Sequence, residues 1–278
     1  MKADGSLPRL AIVIPMMDRS DDLRSSLPNL LSQDYPQYEV YIIDHCSLDG
    51  LEAVLEQMEH PRLKLIRCPR PDYFSFSKGR NIGARYTFSD LLFFLNGDNQ
   101  FRDTKHLSQI IDGFLNETKV DSQWYRSWRS TAGYRPLEID HGVSIRTRFR
   151  RVYSHCLGSP LLVEREVFQK LGGYNEALQD WGYEDTDLIA RLELAGFGRI
   201  NISGMIQPEH PDDKRTINFR EKDKRKSWKR NCKVSDTFIR QFGPILPNQI
   251  YPGRCEWIEI EGIRYNGALL SQQEWCAA

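Results

Sequence analysis

The alternation in the first hundred residues restricts this chain more than any other feature. Four short apolar runs, at residues 10–15, 39–44, 63–67 and 91–95, are separated by segments with helical spacing or turn character. Runs this short, rich in Val, Ile, Leu and Phe without polar alternation, read as strands buried on both faces. Such strands belong to a parallel sheet covered by helices. Between them, residues 20–32 repeat leucine at helical spacing (Leu23, Leu27, Leu30, Leu31) with polar residues opposite. Residues 51–58 are predicted as a short helix, and 78–88 as another in which Gly79 and Gly83 allow close packing. Strand and helix in turn predict an α/β unit with a mostly parallel sheet.

The later chain is less regular. A strand is predicted at 160–163, a helix at 165–171, a turn at Gly172-Gly173-Tyr174 and an amphipathic helix at 186–195 closed by Gly196. A hairpin is expected within the tail, 254–278. Segment 120–156 mixes aromatics with arginines and yields no assignment. No internal repeat or low-complexity linker divides the chain.

Composition narrows the class. With 278 residues, 40% hydrophobic and 27% charged, the chain can build a sizeable soluble core. Its 38 basic and 38 acidic residues cancel, so overall charge gives no reason to expect a nucleic-acid partner. The N-terminus has no apolar stretch of signal-peptide length and no run could span a bilayer, so a cytoplasmic protein is expected. The six cysteines are scattered without C-x-x-C spacing, which argues for reduced thiols rather than a zinc knuckle or a disulfide framework.

Ligands of open parallel sheets bind beyond the carboxyl ends of the strands. Polar residues stand at three such ends: Asp18 and Arg19, Asp44, and Asn96 with Asp98. A lone aspartate there is often a helix cap, but three on one edge suggest a nucleotide pocket, with Asp44 suited to accept hydrogen bonds from a base or ribose. Asn96-Gly97-Asp98 reads either as a plain turn or as a place for Mg²⁺ or Mn²⁺, completed by phosphate oxygens and water.

The strongest local signal is Asp180-Trp181-Gly182-Tyr183-Glu184-Asp185-Thr186-Asp187, with four carboxylates beside two aromatics ahead of a helix. Asp185 or Glu184 at a helix N-terminus suits a general base, and Trp181 and Tyr183 offer flat faces for a sugar ring. The plain alternative is an acidic N-cap with solvated charges. The basic stretch 212–233 reads as a lid over a diphosphate, as a contact to an anionic membrane, or as a solvated helix with its own ion pairs. Arg146, Arg148, Arg150 and Arg151 read as one solvated strand face.

In order, these segments resemble the family 2 glycosyltransferases and, in the second half, the β-1,4-galactosyltransferases and chondroitin-polymerase-type enzymes. Ile14-Pro15-Met16-Met17-Asp18-Arg19 resembles the first-strand motif, and Val40 to Asp44 with Ser47-Leu48-Asp49-Gly50 the segment whose first aspartate contacts the base. Lys78-Gly79-Arg80-Asn81-Ile82-Gly83 is similar to the helix whose basic residue approaches the diphosphate. Asn96-Gly97-Asp98 falls at the D-x-D metal motif, and Gly172 to Asp185 resembles the galactosyltransferase acceptor region.

The resemblance implies a GT-A fold over 1–220, with a donor half at 1–100 and an acceptor and catalytic half at 101–220. Residues 221–278 are left as a basic helix and hairpin appendage. It further implies a nucleotide-diphosphate donor, most simply a UDP-sugar, contacted by Pro15, Met17, Arg19, Asp44, Arg80 and Asn96. Mn²⁺ or Mg²⁺ is implied on Asp98 and His210, the acceptor on Trp181, Tyr183 and Glu184, and the base in Asp185. The acceptor would be a glycan, a lipid-linked glycan or a peptide. Asn96 departs from the pattern: it stands where D-x-D has its first aspartate and contributes no charge. The competing expectation is therefore a module that binds nucleotide sugar or glycan without turnover. A nucleotidyltransferase would want a glycine-rich loop after the first strand, and 16–22 holds no glycine.

Overall fold

The apolar runs form the strands they predict, in an order that creates a crevice. The computed structural model describes residues 6–101, 103–116, 131–136, 160–202, 206–208, 218–246, 258–260 and 263–265, with the backbone path alone for 131–136, 198–202, 206–208, 258–260 and 263–265. The first part of the chain gives β1 (Leu10–Met16), α1 (Ser20–Leu31), β2 (Tyr38–Asp44), α2 (Leu51–Gln57), β3 (Leu63–Arg67), α3 (Phe76–Tyr86) and β4 (Leu91–Phe94). Then follow β5 (Asn99–Phe101), α4 (His106–Asn116), β6 (Thr131–Pro136), β7 (Leu161–Glu164), α5 (Arg165–Lys170) and α6 (Glu184–Leu194). The last elements are β8 (Phe197–Ile202), β9 (Ile206–Pro208), α7 (Lys224–Phe242), β10 (Ile258–Ile260) and β11 (Ile263–Tyr265).

Among the described residues the main sheet has nine strands in the order β11-β10-β3-β2-β1-β4-β7-β6-β8. β3, β2, β1 and β4 run parallel, with Met16 beside Asp44, Asp44 beside Arg67, and Val13 beside Phe94. The order of the chain reverses between β1 and β4, because β2 and β3 lie to one side of β1 and β4 to the other. That reversal is the switch point at which open α/β sheets leave a crevice.

β1 is buried along its whole length, and its two faces feed two cores. Leu10, Ile12 and Ile14 pack with Leu23 and Leu27 of α1 and with Ile110 and Phe114 of α4. Ala11 and Val13 share the other core with Ile82 of α3, Phe168 of α5 and Leu188 and Leu192 of α6. This two-residue alternation is what a doubly covered strand requires. The predicted glycine packing is present: a Cβ at Gly83 would lie 2.2 Å from Val13 Cγ1, and one at Gly79 would lie 2.5 Å from Pro15 Cβ.

Some elements differ from the expectation. α3 starts at Phe76, earlier than predicted, because Ser75 accepts a hydrogen bond from the Lys78 N–H and caps it. α4 was not anticipated, although Leu107, Ile110, Ile111 and Phe114 carry helical spacing. The basic stretch becomes α7, which begins at Lys224 and runs on to Phe242; residues 212–217 lie outside the described residues, as do the four arginines between 146 and 151. From the segment 221–278, α7 packs on α6 and β10 pairs antiparallel with β3. Among the described residues Cys46, Cys68 and Cys232 are not in disulfides.

Candidate active site

Beyond the carboxyl ends of β1 and β4 lies a small, open crevice. Pro15, Met16, Met17, Arg19 and Asp22 form one wall with Asn96 and Gly97. Gly97 is needed for the close approach, since a Cβ there would come 2.8 Å from Met16 Sδ. The remaining lining residues are three aromatics, Phe74, Phe76 and Phe219, with Asn218 among them. The Phe74 N–H donates to the Asn218 carbonyl over 3.0 Å, and the Asn218 amide donates to the Met17 carbonyl. Pro15, Met17, Arg19 and Asn96 are thus brought together as the sequence predicts. Phe74 and Phe76 stand just before α3 and could have been noticed there. Asn218 and Phe219 are some two hundred residues from Met17 in the chain, and no local signal marks them.

Asp44 closes β2, fully buried, outside the walls of that crevice. Its Oδ1 accepts from the Ser47 N–H at 2.9 Å and its Oδ2 lies 3.6 Å from Arg67 Nε. Burial raises its pKa against those partners. Asp18, in the left-handed region at φ 53°, binds Arg70 and accepts from the Leu48 N–H at 2.7 Å. Arg70 holds that carboxyl below the usual carboxylate range.

Arg80 joins the two halves of the site. Its side chain is 1% exposed and projects from α3. Nη2 donates to Asn96 Oδ1 at 3.1 Å, and Nη1 donates to Asp185 Oδ1 at 2.6 Å and lies 3.7 Å from Glu184 Oε1. The guanidinium also sits 4.9 Å from the Tyr174 ring centroid, and the Tyr174 hydroxyl donates to the same Asp185 oxygen at 3.3 Å. Burial works to lower the pKa of Arg80, but Asp185, Tyr174 and Glu184 outweigh it and hold the group above its ordinary value. Burial, then the charge of Asp185, pushes Glu184 up to about 7.

The acidic cluster divides by role. Asp180 accepts from the Arg220 N–H at 2.9 Å and from Arg230 at 3.1 Å. Asp187 pairs with Arg191 at 2.8 Å and accepts from the Ser235 hydroxyl at 2.7 Å. Both carboxylates hold the framework, and only Glu184 and Asp185 reach Arg80. The loop between them is bent, with φ of 59° at Asp180, 88° at Gly182 and 80° at Tyr183. Such a backbone persists only when its surroundings impose it. α7 does so here. Asn231 accepts from the Gln179 N–H at 3.2 Å and donates to the carbonyls of Gln179 at 2.9 Å and Gly182 at 2.7 Å. The Ser227 hydroxyl donates to the Trp181 carbonyl at 2.8 Å. Tyr183 is buried edge-on against Trp228, 5.3 Å between centroids, so the expectation of two flat faces for a sugar narrows to Trp181. Trp181 is half-buried, with Lys224 Nζ 5.7 Å from its ring.

Asp98 is buried at the end of β4, 3.7 Å from Arg19 Nη2. His210, its expected co-ligand, lies outside the described residues, among which no cluster of three His, Cys, Asp or Glu could hold a metal. The register of the small β5–β9 sheet sets Pro208 opposite Asn99, one residue from Asp98. His210 follows two residues later in sequence. The Asp98 carboxylate is of the donor type that suits a hard cation keeping phosphate and water ligands.

A model of glycosyl transferase family 2 matches residues 11–172, more than half of the chain, and a model described as the N-terminal domain of galactosyltransferase matches 141–211. The chain is 28% identical over 214 residues to the O-antigen biosynthesis protein RfbC of Myxococcus xanthus, spanning 68% of this chain and 16% of that one. It is 27% identical over 192 residues to an uncharacterized glycosyltransferase of Haemophilus influenzae, spanning 66% and 61%. The fold is similar to that of S. aureus TarS 1–349 solved with UDP-GlcNAc, at TM-score 0.55 and 15% identity, covering 79% of this chain and 64% of that one. It is also similar to the Pyrobaculum calidifontis mannosyltransferase PcManGT solved with GDP-Man and Mn²⁺, at TM-score 0.50 and 17% identity, covering 70% and 54%. The central sheet is that of a GT-A fold.

Proposed function

The chain belongs to glycosyl transferase family 2, and from that premise we propose that it moves a sugar from a nucleotide-diphosphate donor to an acceptor hydroxyl, inverting the anomeric carbon. The observation that carries this reading is the Arg80 bridge. One buried guanidinium touches Asn96 on the donor crevice and Asp185 on the acid loop, so the two halves of a transfer site are adjacent.

The donor occupies the crevice at the switch point, with Pro15, Met17, Arg19 and Asn96 around its diphosphate end and Asp44 toward the nucleoside. Asp98 and His210 would hold Mn²⁺ or Mg²⁺, which when bound would offset the negative charge that builds on the departing diphosphate. The sugar faces Glu184 and Asp185, and Trp181 flanks the acceptor. The acceptor oxygen forms a bond to the anomeric carbon, the bond to the diphosphate oxygen breaks, and the hydroxyl proton passes to Asp185. Arg80 and Tyr174, both on Oδ1, fix the orientation of that carboxylate. Positioned bases of this kind contribute about 10²–10⁴-fold. The donor class we assign is a UDP-sugar, and the acceptor a glycan, a lipid-linked glycan or a peptide. Retention of Glu184 and Asp185 on a buried arginine weighs for turnover over mere binding.

The test is a thermal-shift screen of UDP- and GDP-sugars with and without Mn²⁺, followed by nucleotide-release assays. A metal-dependent rise with UDP-sugars and release of UDP are expected, because ligand that binds only the folded state stabilises it by mass action. No shift and no release with any nucleotide sugar would remove the proposal.

A further inference from the structure

Arg19 stands where its own helix does not favour a cation. It is the N-cap of α1, and the helix dipole there prefers negative charge. The side chain, 20% exposed, lies between two carboxylates: Nη2 is 2.5 Å from Asp22 Oδ2 and 3.7 Å from Asp98 Oδ2. Yet its Nε and Nη2 are buried and make no hydrogen bond, so charge alone holds the guanidinium there. Buried N–H groups without acceptors are costly and mark a place where a ligand is wanted. Asp98, 4% exposed, is the carboxylate assigned above to a divalent cation, so a side-chain cation already stands beside it. The neighbouring residues give a second cation little help against Arg19. Asp22 is shared with the same guanidinium. Asn96 brings no charge, and its Oδ1 is turned to Arg80 Nη2 at 3.1 Å. A guanidinium only donates, so the amide cannot be reversed without losing that bond.

We propose that Arg19 is the built-in counter-cation of Asp98, and that it competes with the divalent cation for that carboxylate until the donor arrives. The inference rests on the cation assigned to Asp98 under the proposed function and adds a control on its binding. Without nucleotide, Arg19 neutralises Asp98 and Asp22 and keeps the affinity for a bare divalent ion low. When nucleotide diphosphate and cation arrive together, Arg19 leaves Asp98 and its N–H groups turn to phosphate oxygens. Those oxygens supply the charged acceptors that Nε and Nη2 lack, and such hydrogen bonds are among the strong ones. One side chain thus serves the site in two states, which a fixed phosphate clamp would not do. It also gives Asn96 a reason: with both carboxylates shared by Arg19, a neutral residue at 96 leaves Arg80 to Glu184 and Asp185.

The experiment titrates the full chain with Mn²⁺ in the absence of nucleotide, following the electron-spin-resonance signal of the free ion. Arg19→Gln should bind Mn²⁺ more tightly than wild type by on the order of tenfold, the weight of one opposite charge at this range on a carboxylate. Arg19→Ala should do the same, and Arg19→Lys, which keeps the charge, should stay near wild type. Asp98→Asn should abolish binding with either residue at 19. In a parallel thermal-shift series, UDP without metal should stabilise Arg19→Gln less than wild type. Mn²⁺ affinity that is unchanged or weaker in Arg19→Gln and Arg19→Ala, with Asp98→Asn still abolishing it, overturns the inference and leaves the cation on Asp98. Mn²⁺ binding that survives Asp98→Asn removes the cation assignment and the inference together. An undiminished UDP shift in Arg19→Gln overturns the transfer of the guanidinium to phosphate.

Discussion

The crevice wall and the acid loop are built by opposite means. On the crevice side the lining residues follow directly from β1 and β4, and the parallel ladder of β2, β1 and β4 fixes where those strands end. Main-chain hydrogen bonds and two apolar cores do the positioning. The acid loop has no ladder. Three of its residues sit at positive φ, and its shape is imposed by side chains of α7, Asn231 above all, about fifty residues further along the chain. A site on ladder ends should therefore tolerate loss of any one side chain near it, whereas the loop should fail when a single distant amide is removed.

The largest expected effect lies on the loop. Asp185→Asn removes the proton acceptor while keeping a group that can still pack beside Arg80, and transfer should fall by about 10²–10⁴-fold. The donor's thermal shift should persist, because the donor-side contacts are untouched. Turnover within a few-fold of wild type would take the base role away from Asp185 and leave the pairing with Arg80 as a structural one.

Asn231→Ala and Gly83→Ala set the two regions against each other. Asn231 is 1% exposed, and its loss strands the Gln179 N–H and the Gly182 carbonyl, a cost of about 1–3 kcal/mol. The freed loop should also lower turnover of the remaining folded protein by roughly tenfold, as displaced groups do. Gly83→Ala forces a methyl against Val13 and should cost a comparable 1–3 kcal/mol by overpacking. Its folded fraction should keep near-normal turnover. Activity normalised to folded protein, measured beside urea denaturation, separates the two. If Asn231→Ala loses stability alone, the contrast between a ladder-built and a clamp-built region does not hold.

The same contrast explains what could be read from the chain. Strands buried on both faces leave continuous apolar runs, so β1 to β4, the helices between them and the polar residues at their ends were legible. The crevice members Pro15, Met17, Arg19 and Asn96 follow from that register. The acid cluster announced itself by composition, but which carboxylates face the site did not. Asp180 and Asp187 look equivalent to Glu184 and Asp185 until Arg230, Arg191 and Ser235 are seen to occupy them. Asn231 reads as one polar residue in a basic stretch, because a clamp needs only a side chain at the right point in space. The aromatic wall partner Phe219 was hidden for the same reason.

The smallest expected effect concerns the joint between the two regions. Asn81 of α3 donates to the Tyr174 carbonyl and to Glu176 Oε1, both at 2.9 Å, and accepts from the Tyr174 N–H at 2.8 Å. Burial pushes Glu176 up to about 7, against the opposing pull of Asn81, Lys78 and Arg85. Between the ordinary value of 4.5 and about 7, the folded protein keeps a proton that the unfolded chain has released. Through that window Glu176 therefore makes the unfolding free energy fall as pH rises, levelling off above it, while His45, which burial lowers from 6.5 to about 4, pulls the other way. Glu184, also at about 7, acts in the same direction as Glu176. Asp18, held low by Arg70, acts in the opposite direction but mostly below pH 4, outside the window. Glu176→Gln removes one of these contributions and leaves the others in place. Its stability change between pH 5 and pH 8 should be more favourable than that of wild type by on the order of 1 kcal/mol. Urea denaturation of both proteins at the two pH values, at one ionic strength, measures that difference. Parallel changes in the two would show that Glu176 is ionised in the fold without penalty, and that the joint between ladder and loop is wetter than its burial implies.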